Sequence, residues 1–199
     1  MSRLILLLLV VSAGVLGAGL WIPLKALVAQ ELLTLAWAES EARQAQIRPW
    51  PWADTWPAAR LALPAEERPM VVLAGAHGES LAFGPGLVVA GERGRGPVVI
   101  AGHRDTHFRA LKELSRGAQV RLQHPGGRWQ GFQVVGTRVV DSRYEMISTA
   151  DLAEDVLLLV TCYPFDSVDS NGPLRYVVEA RELPHIPAGS TPLVTVAGQ

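Results

Sequence analysis

The chain opens with a sharp break in polarity. Leu4–Ile22 is a run of 19 residues without a charge, bounded by Arg3 on one side and Pro23-Leu24-Lys25 on the other. As a helix this run would span roughly 28 Å, about one hydrocarbon core. A secretory apolar region is shorter, about 7–15 residues, and ends at a small-residue cleavage site. Trp21 stands at the far end of the run, where an interfacial aromatic belongs. Residues 1–23 therefore read as a transmembrane signal anchor, with a cleaved signal and a buried core helix as the alternatives. Arg3 against Lys25 leaves charge counting undecided. Nearly all of the chain follows the run, and that part is expected to lie outside the cytoplasm.

From Leu24 to Gln46 the pattern is helical, rich in Ala, Leu, Glu and Gln and free of proline. Leu24, Leu27, Val28, Leu32, Leu35 and Ala38 recur near a 3.6-residue period. The segment is expected to continue the anchor as a stalk or to pack on the domain, with Pro23 kinking or starting it. The stretch from Arg48 to Pro57 alternates prolines with Trp50, Trp52 and Trp56, which excludes a helix interior. An extended segment with indoles packed on the domain is expected. Substrate or membrane contact is the functional alternative.

Beyond Pro69 the pattern shortens into β-branched runs: Met70–Leu73, Leu87–Ala90, Val98–Ala101, Val120–Leu122, Gly131–Val135, Arg138–Val140, Val156–Val160 and Arg175–Val178. Turn clusters separate most of them, among them Gly84-Pro85-Gly86, Gly91–Gly96, His124–Gly127 and Asn171-Gly172-Pro173. About eight short strands with this punctuation predict a closed barrel or a sandwich. A short helix, Phe108–Ser115, fits between two of them. The expected division is residues 24–66 for stalk and Trp/Pro-rich linker, 67–185 for a β domain and 186–199 for a tail.

Charge changes this picture little. The 18 Lys and Arg offset 19 Asp and Glu, for a net charge of −1, so no basic surface suited to nucleic acid is expected. Cysteine matters more. Cys162 is the single cysteine of the 199 residues, which excludes an intrachain disulfide and a Cys-rich zinc module.

Cys162 ends an apolar strand, just after Thr161 and before Tyr163-Pro164. Such a cysteine on its own is most simply a small buried hydrophobe. His103 also ends an apolar strand, just past Gly102. Two such ends can meet at one barrel mouth, where an imidazolium favours the reactive thiolate. Arg175 opens the next apolar run, and its permanent charge suits an acyl oxyanion or a peptide carbonyl. Thr161 offers a further hydroxyl or backbone donor. Asp105 would orient His103 or His107, or cap the Phe108 helix. His103 and His107 also form H-x-x-x-H, but the Glu of a zinc-peptidase motif is missing. Glu92 and Asp105 are isolated carboxylates. No metal and no cofactor are expected.

Together these residues resemble the sortases, membrane-anchored cysteine transpeptidases with an eight-stranded β-barrel. The resemblance covers roughly Glu67 to Leu183, plus the anchor. The family's Thr-Leu-x-Thr-Cys string becomes Leu158-Leu159-Val160-Thr161-Cys162, with Leu158 replacing the first threonine. The strings around His103, from Cys162 through Phe165, and from Trp50 to Pro57 are similar to the sortases of Gram-negative proteobacteria, called class GN.

The resemblance implies Cys162, His103 and Arg175 as the catalytic set. It implies Thr161, Asp105 and the backbone N–H of Tyr163 as further substrate or oxyanion contacts. The implied partners are a protein with a C-terminal LPXTG-like sorting signal, an amine acceptor and the membrane, with no nucleic acid. The implied location is the cell inner membrane, single-pass, with the domain facing the periplasm. Two alternatives compete: a membrane-tethered β-barrel binding module with an inert cysteine, and another Cys–His acyl transferase or peptidase of the cell envelope.

Overall fold

The computed structural model describes residues 2–90, 96–145, 151–167 and 172–184. Glu92, most of the Gly91–Gly96 turn, Asn171, His185 and the tail 186–199 lie outside these residues. One helix, α1 (Ser2–Arg43), holds the apolar run and the following segment without a break. It is long and apolar enough to cross a membrane. Its first half exposes Leu4, Leu9 and Leu16 to solvent in the isolated chain.

The strands are β1 (Pro57–Ala62), β2 (Met70–Ala74), β3 (Gly86–Val89), β4 (Val98–Ala101), β5 (Gln119–Gln123), β6 (Trp129–Asp141), β7 (Val156–Cys162) and β8 (Leu174–Glu182). They close into a mainly β, eight-stranded barrel in the order β1-β2-β3-β4-β7-β8-β6-β5. The β2–β3 and β4–β7 pairs are parallel. The other pairs are antiparallel.

The eight observed strands are not the eight expected runs. The Gly131 and Arg138 runs form the single strand β6, bent by a register shift between Val134 and Gly136. The eighth strand, β1, lies upstream in the Trp/Pro-rich region. Its Pro-Ala-Ala-Arg-Leu-Ala sequence lacks β-branched residues, yet alternate positions are buried. The expected Phe108 helix is a 3₁₀ helix, Arg109–Glu113, whose N-cap is Phe108, so Asp105 does not cap it.

Burial explains β7. Leu157 and Leu159 point into the barrel core with Phe108, Phe132 and Ile100. Val156 and Leu158 face outward into a second cluster with Val99, Val140 and Val177, roofed by Leu152. A strand buried on both faces needs an unbroken apolar run, which is the pattern its sequence shows.

The second half of α1 docks on the barrel. Ala29, Leu33, Ala36 and Trp37 are buried, and Leu33 packs with Val71, Leu73, Trp50 and Phe83. Of the periodic residues, Leu24, Leu27, Val28 and Leu35 are exposed on the outer face. Apolar residues lie on more than one face of this segment, so period alone does not choose which face docks. The buried face instead carries two alanines that allow close approach. Fully burying a side chain such as Leu33 is worth about 1.5–3 kcal/mol. Trp50 packs edge-on against Phe83 at 5.0 Å. Trp56 is half-buried, and Trp52 is 82% exposed.

Candidate active site

Because β4 and β7 run parallel, their C-terminal ends leave the barrel at the same mouth. Ala101 pairs with Val160, and the Gly102 N–H donates to the Val160 carbonyl at 3.1 Å. The Thr161 hydroxyl donates to the Gly102 carbonyl at 2.7 Å, inside a buried contact. His103 and Cys162 are the next residue on each strand end. Gly102 is required for space: a Cβ there would lie 2.9 Å from the Phe108 ring. That ring is fully buried, and the Phe108 N–H donates to the His103 carbonyl at 3.0 Å, curling the His103 loop over the mouth.

Arg175 reaches the site through the other neighbour of β7. The β7–β8 register sets Cys162 opposite Arg175 and Thr161 opposite Tyr176. Arg175 Nη1 donates to the Gly172 and Leu174 carbonyls at 2.6 and 2.9 Å. Its Nε and Nη2 have no protein acceptor among the described residues. Cys162 is half-buried and forms no disulfide. His103 is exposed.

The other expected contacts have different partners. The Thr161 hydroxyl is used on Gly102, and Thr161 is 2% exposed, so it fixes the strand ends and is not free to donate to an oxyanion. The Tyr163 N–H donates to the Leu174 carbonyl at 3.0 Å, so this backbone donor is also engaged. The Tyr163 ring stacks on Tyr176 at 6.2 Å, and Phe165 meets Tyr176 edge-on at 5.1 Å. Asp105 lies on the surface and accepts from Arg104 Nε at 3.1 Å; no contact to either histidine orients them through it. His107 is half-buried. Burial, and then the charge of nearby His103, hold its pKa below the ordinary histidine value.

Arg104 is the site residue that the sequence did not single out. It is 5% exposed, and its Nη2 donates to the Ser167 carbonyl at 2.7 Å. It thereby ties the loop after Cys162 to the loop after His103. Arg104, Asp105, Arg109, Lys112, Phe165 and Asp166 line a hollow of about 230 Å³ beside the mouth. A larger cleft, about 480 Å³, lies away from it, between the end of α1 and residues such as Trp56, Gly75 and Val88. The smaller hollow is the one that adjoins the candidate chemistry.

A thiol, an imidazole and a guanidinium on adjacent strand ends can attack a carbonyl, protonate a leaving group and hold a developing oxyanion. The chain is similar to known proteins over its barrel. The family model described as "Sortase domain" matches residues 61–183. Sortase D of Bacillus subtilis (strain 168) is 39% identical over 88 residues, 44% of this chain and 43% of that protein, so the match spans less than half of its length. Sortase A from Corynebacterium diphtheriae superposes with a TM-score of 0.58 at 19% identity, covering 68% of this chain and 65% of that one. The pilus-related sortase C of Group B Streptococcus gives 0.55 at 20% identity, covering 65% and 68%.

Proposed function

The chain belongs to the sortase family of cysteine transpeptidases, and from that premise we propose that it cleaves an LPXTG-like C-terminal sorting signal between Thr and Gly through a thioacyl enzyme on Cys162. The observation that carries this reading is the β7–β8 register, with Cys162 opposite Arg175 and the His103 strand end bonded alongside.

The Cys162 sulfur forms a bond to the threonine carbonyl carbon. The charge that develops on the carbonyl oxygen is met by the Nε and Nη2 donors of Arg175. The C–N bond to glycine breaks, and His103 gives its proton to the departing amine. An acceptor amine then attacks the thioester carbon, returns a proton to His103 and releases the Cys162 thiolate; water does the same more slowly. The barrel, whose strands run from β1 to β8, carries this chemistry, and residues 1–23 anchor it. The motif strings support a class GN enzyme in the inner membrane, with its domain in the periplasm.

The partial exposure of Cys162 supports an enzyme over a binding module with an inert thiol. The deciding experiment incubates the protein with an LPXTG-like peptide, with and without an added amine, and reads products by mass spectrometry. A Thr-terminated acid and an amine-ligated product are expected. Cleavage that persists in Cys162→Ala, or a cut at another bond, overturns the reading.

A further inference from the structure

Two hydrogen bonds give the docked half of α1 a direction along the barrel. Near its start, Gln30 Nε2 donates to the Phe83 carbonyl at 2.7 Å. Near its end, Glu41 Oε1 accepts from the Gly126 N–H at 2.9 Å. These partners lie at opposite ends of the barrel. Phe83 just precedes β3, whose first residue Gly86 pairs with Ala101, the last residue of β4 before His103. Phe83 also packs in the cluster with Val71, at the start of β2. Gly126 is in the turn between β5 and β6. Since β6 runs back from that turn to Val140, opposite Arg175, the turn is at the end remote from Cys162.

The helix therefore runs from the Cys162 end of the barrel toward the far end. Its membrane-side half departs from the Cys162 end. Gln30 follows Ile22 by eight residues, about 12 Å of helix. A kink at Pro23 would tilt the span without changing the end at which the chain leaves the barrel. The outer face of the intervening turns is apolar: Leu24, Leu27 and Val28 are exposed. Lys25 Nζ sits 5.0 Å from the Trp21 ring centroid, as a snorkelling lysine beside an interfacial aromatic does. The headgroup region adds about 5–8 Å on each side of the hydrocarbon core.

We propose that the barrel end bearing Cys162, His103 and Arg175 faces the bilayer that α1 enters, so that the reacting bond is held at headgroup level and not above the far end of the domain. The partner surface is a phospholipid bilayer. The inference rests on the reading of Leu4–Ile22 as a membrane span.

The test uses the full-length chain in nanodiscs of phosphatidylglycerol and phosphatidylethanolamine, doped with a headgroup-nitroxide lipid. In a Cys162→Ala background, single fluorophores are attached at Ala82→Cys, Lys112→Cys or Arg128→Cys. The first two sites are exposed at the Cys162 end, and the third is exposed in the β5–β6 turn. The expected result is strong loss of fluorescence at Ala82→Cys and Lys112→Cys and none at Arg128→Cys. Quenching confined to Arg128→Cys, equal quenching at all three sites, or none at any overturns the orientation. A chain that does not enter the discs overturns the span and the proposal with it. The labelled chains lack the thiol, so this readout stands apart from peptide cleavage, which tests the chemistry separately.

Discussion

The Thr161 hydroxyl and the Gly102 carbonyl, 2.7 Å apart, hold together the two residues that precede Cys162 and His103. Thr161→Val keeps the shape and removes the donor, leaving a buried carbonyl short of its partner. The expected loss is about 1–3 kcal/mol of unfolding free energy, read by urea denaturation. Thr161→Ser retains the hydroxyl and is expected to recover most of the loss. Acylation should slow in Thr161→Val beyond what the folded fraction explains, because the two strand ends are no longer fixed to each other.

Cys162 should react with iodoacetamide in the native protein at neutral pH. Replacement of His103 by Ala is expected to slow that reaction about tenfold or more. In urea the two chains should react alike, since the effect depends on folded proximity. Equal native rates would remove His103 from the thiol's surroundings.

Arg175 Nε and Nη2 have no acceptor among the described residues, and its Nη1 bonds reach only nearby carbonyls. Arg175→Ala is expected to lower kcat about 100- to 1,000-fold, as loss of an oxyanion donor does, with little change in Tm. Arg175→Lys should not restore the rate, because an ammonium does not reproduce the planar fork. An unchanged rate in Arg175→Ala would take it out of the reaction.

Arg104 acts through the fold. Arg104→Met preserves much of the stem's packing but removes the bond to the Ser167 carbonyl. A hydrogen bond from a charged donor is worth about 1.5–3 kcal/mol, and a stability loss of that order is expected. Hydrogen exchange should rise at the amides of Phe165, Asp166 and Ser167, while the amides of β1 and β5 stay protected relative to global stability.

His107 makes stability depend on pH. Its folded pKa is lowered from 6.5 by burial and by His103. At alkaline pH both folded and unfolded states are neutral there, and His107 contributes nothing. As pH falls through 6.5, the unfolded chain takes up a proton that the folded chain resists, so stability falls until the folded value is passed. Thermal melts between pH 8 and pH 5.5 should show this loss, and His107→Gln should reduce it.

How much of this was legible follows from where each residue sits in the pattern. Cys162, His103 and Arg175 all border apolar β-branched runs, so sequence alone located them at strand ends. The β4–β7 and β7–β8 pairings then supplied their proximity. Arg104 was illegible because a single arginine in a polar loop reads as solvated; only the folded loop shows it buried. The strand β1 was missed because its alanines carry no β signal, and the register closing the barrel overrides that weak propensity. The docked face of α1 is not legible in the sequence because periodicity cannot choose between two apolar faces of one helix. Thr161 stood out as a possible donor to substrate, but its hydroxyl is spent holding the strand ends.

The parallel pairing of β4 with β7 has a consequence for the newly made chain. Parallel neighbours cannot be joined by a tight hairpin, and here β5 and β6 intervene before β7. The Cys162 strand end therefore meets the His103 strand end only when a long loop has closed, a slow, non-local event. In the proposed enzyme, activation of the nucleophile and completion of the barrel are then one event, so an immature chain would have no armed thiol with which to trap the wrong partner.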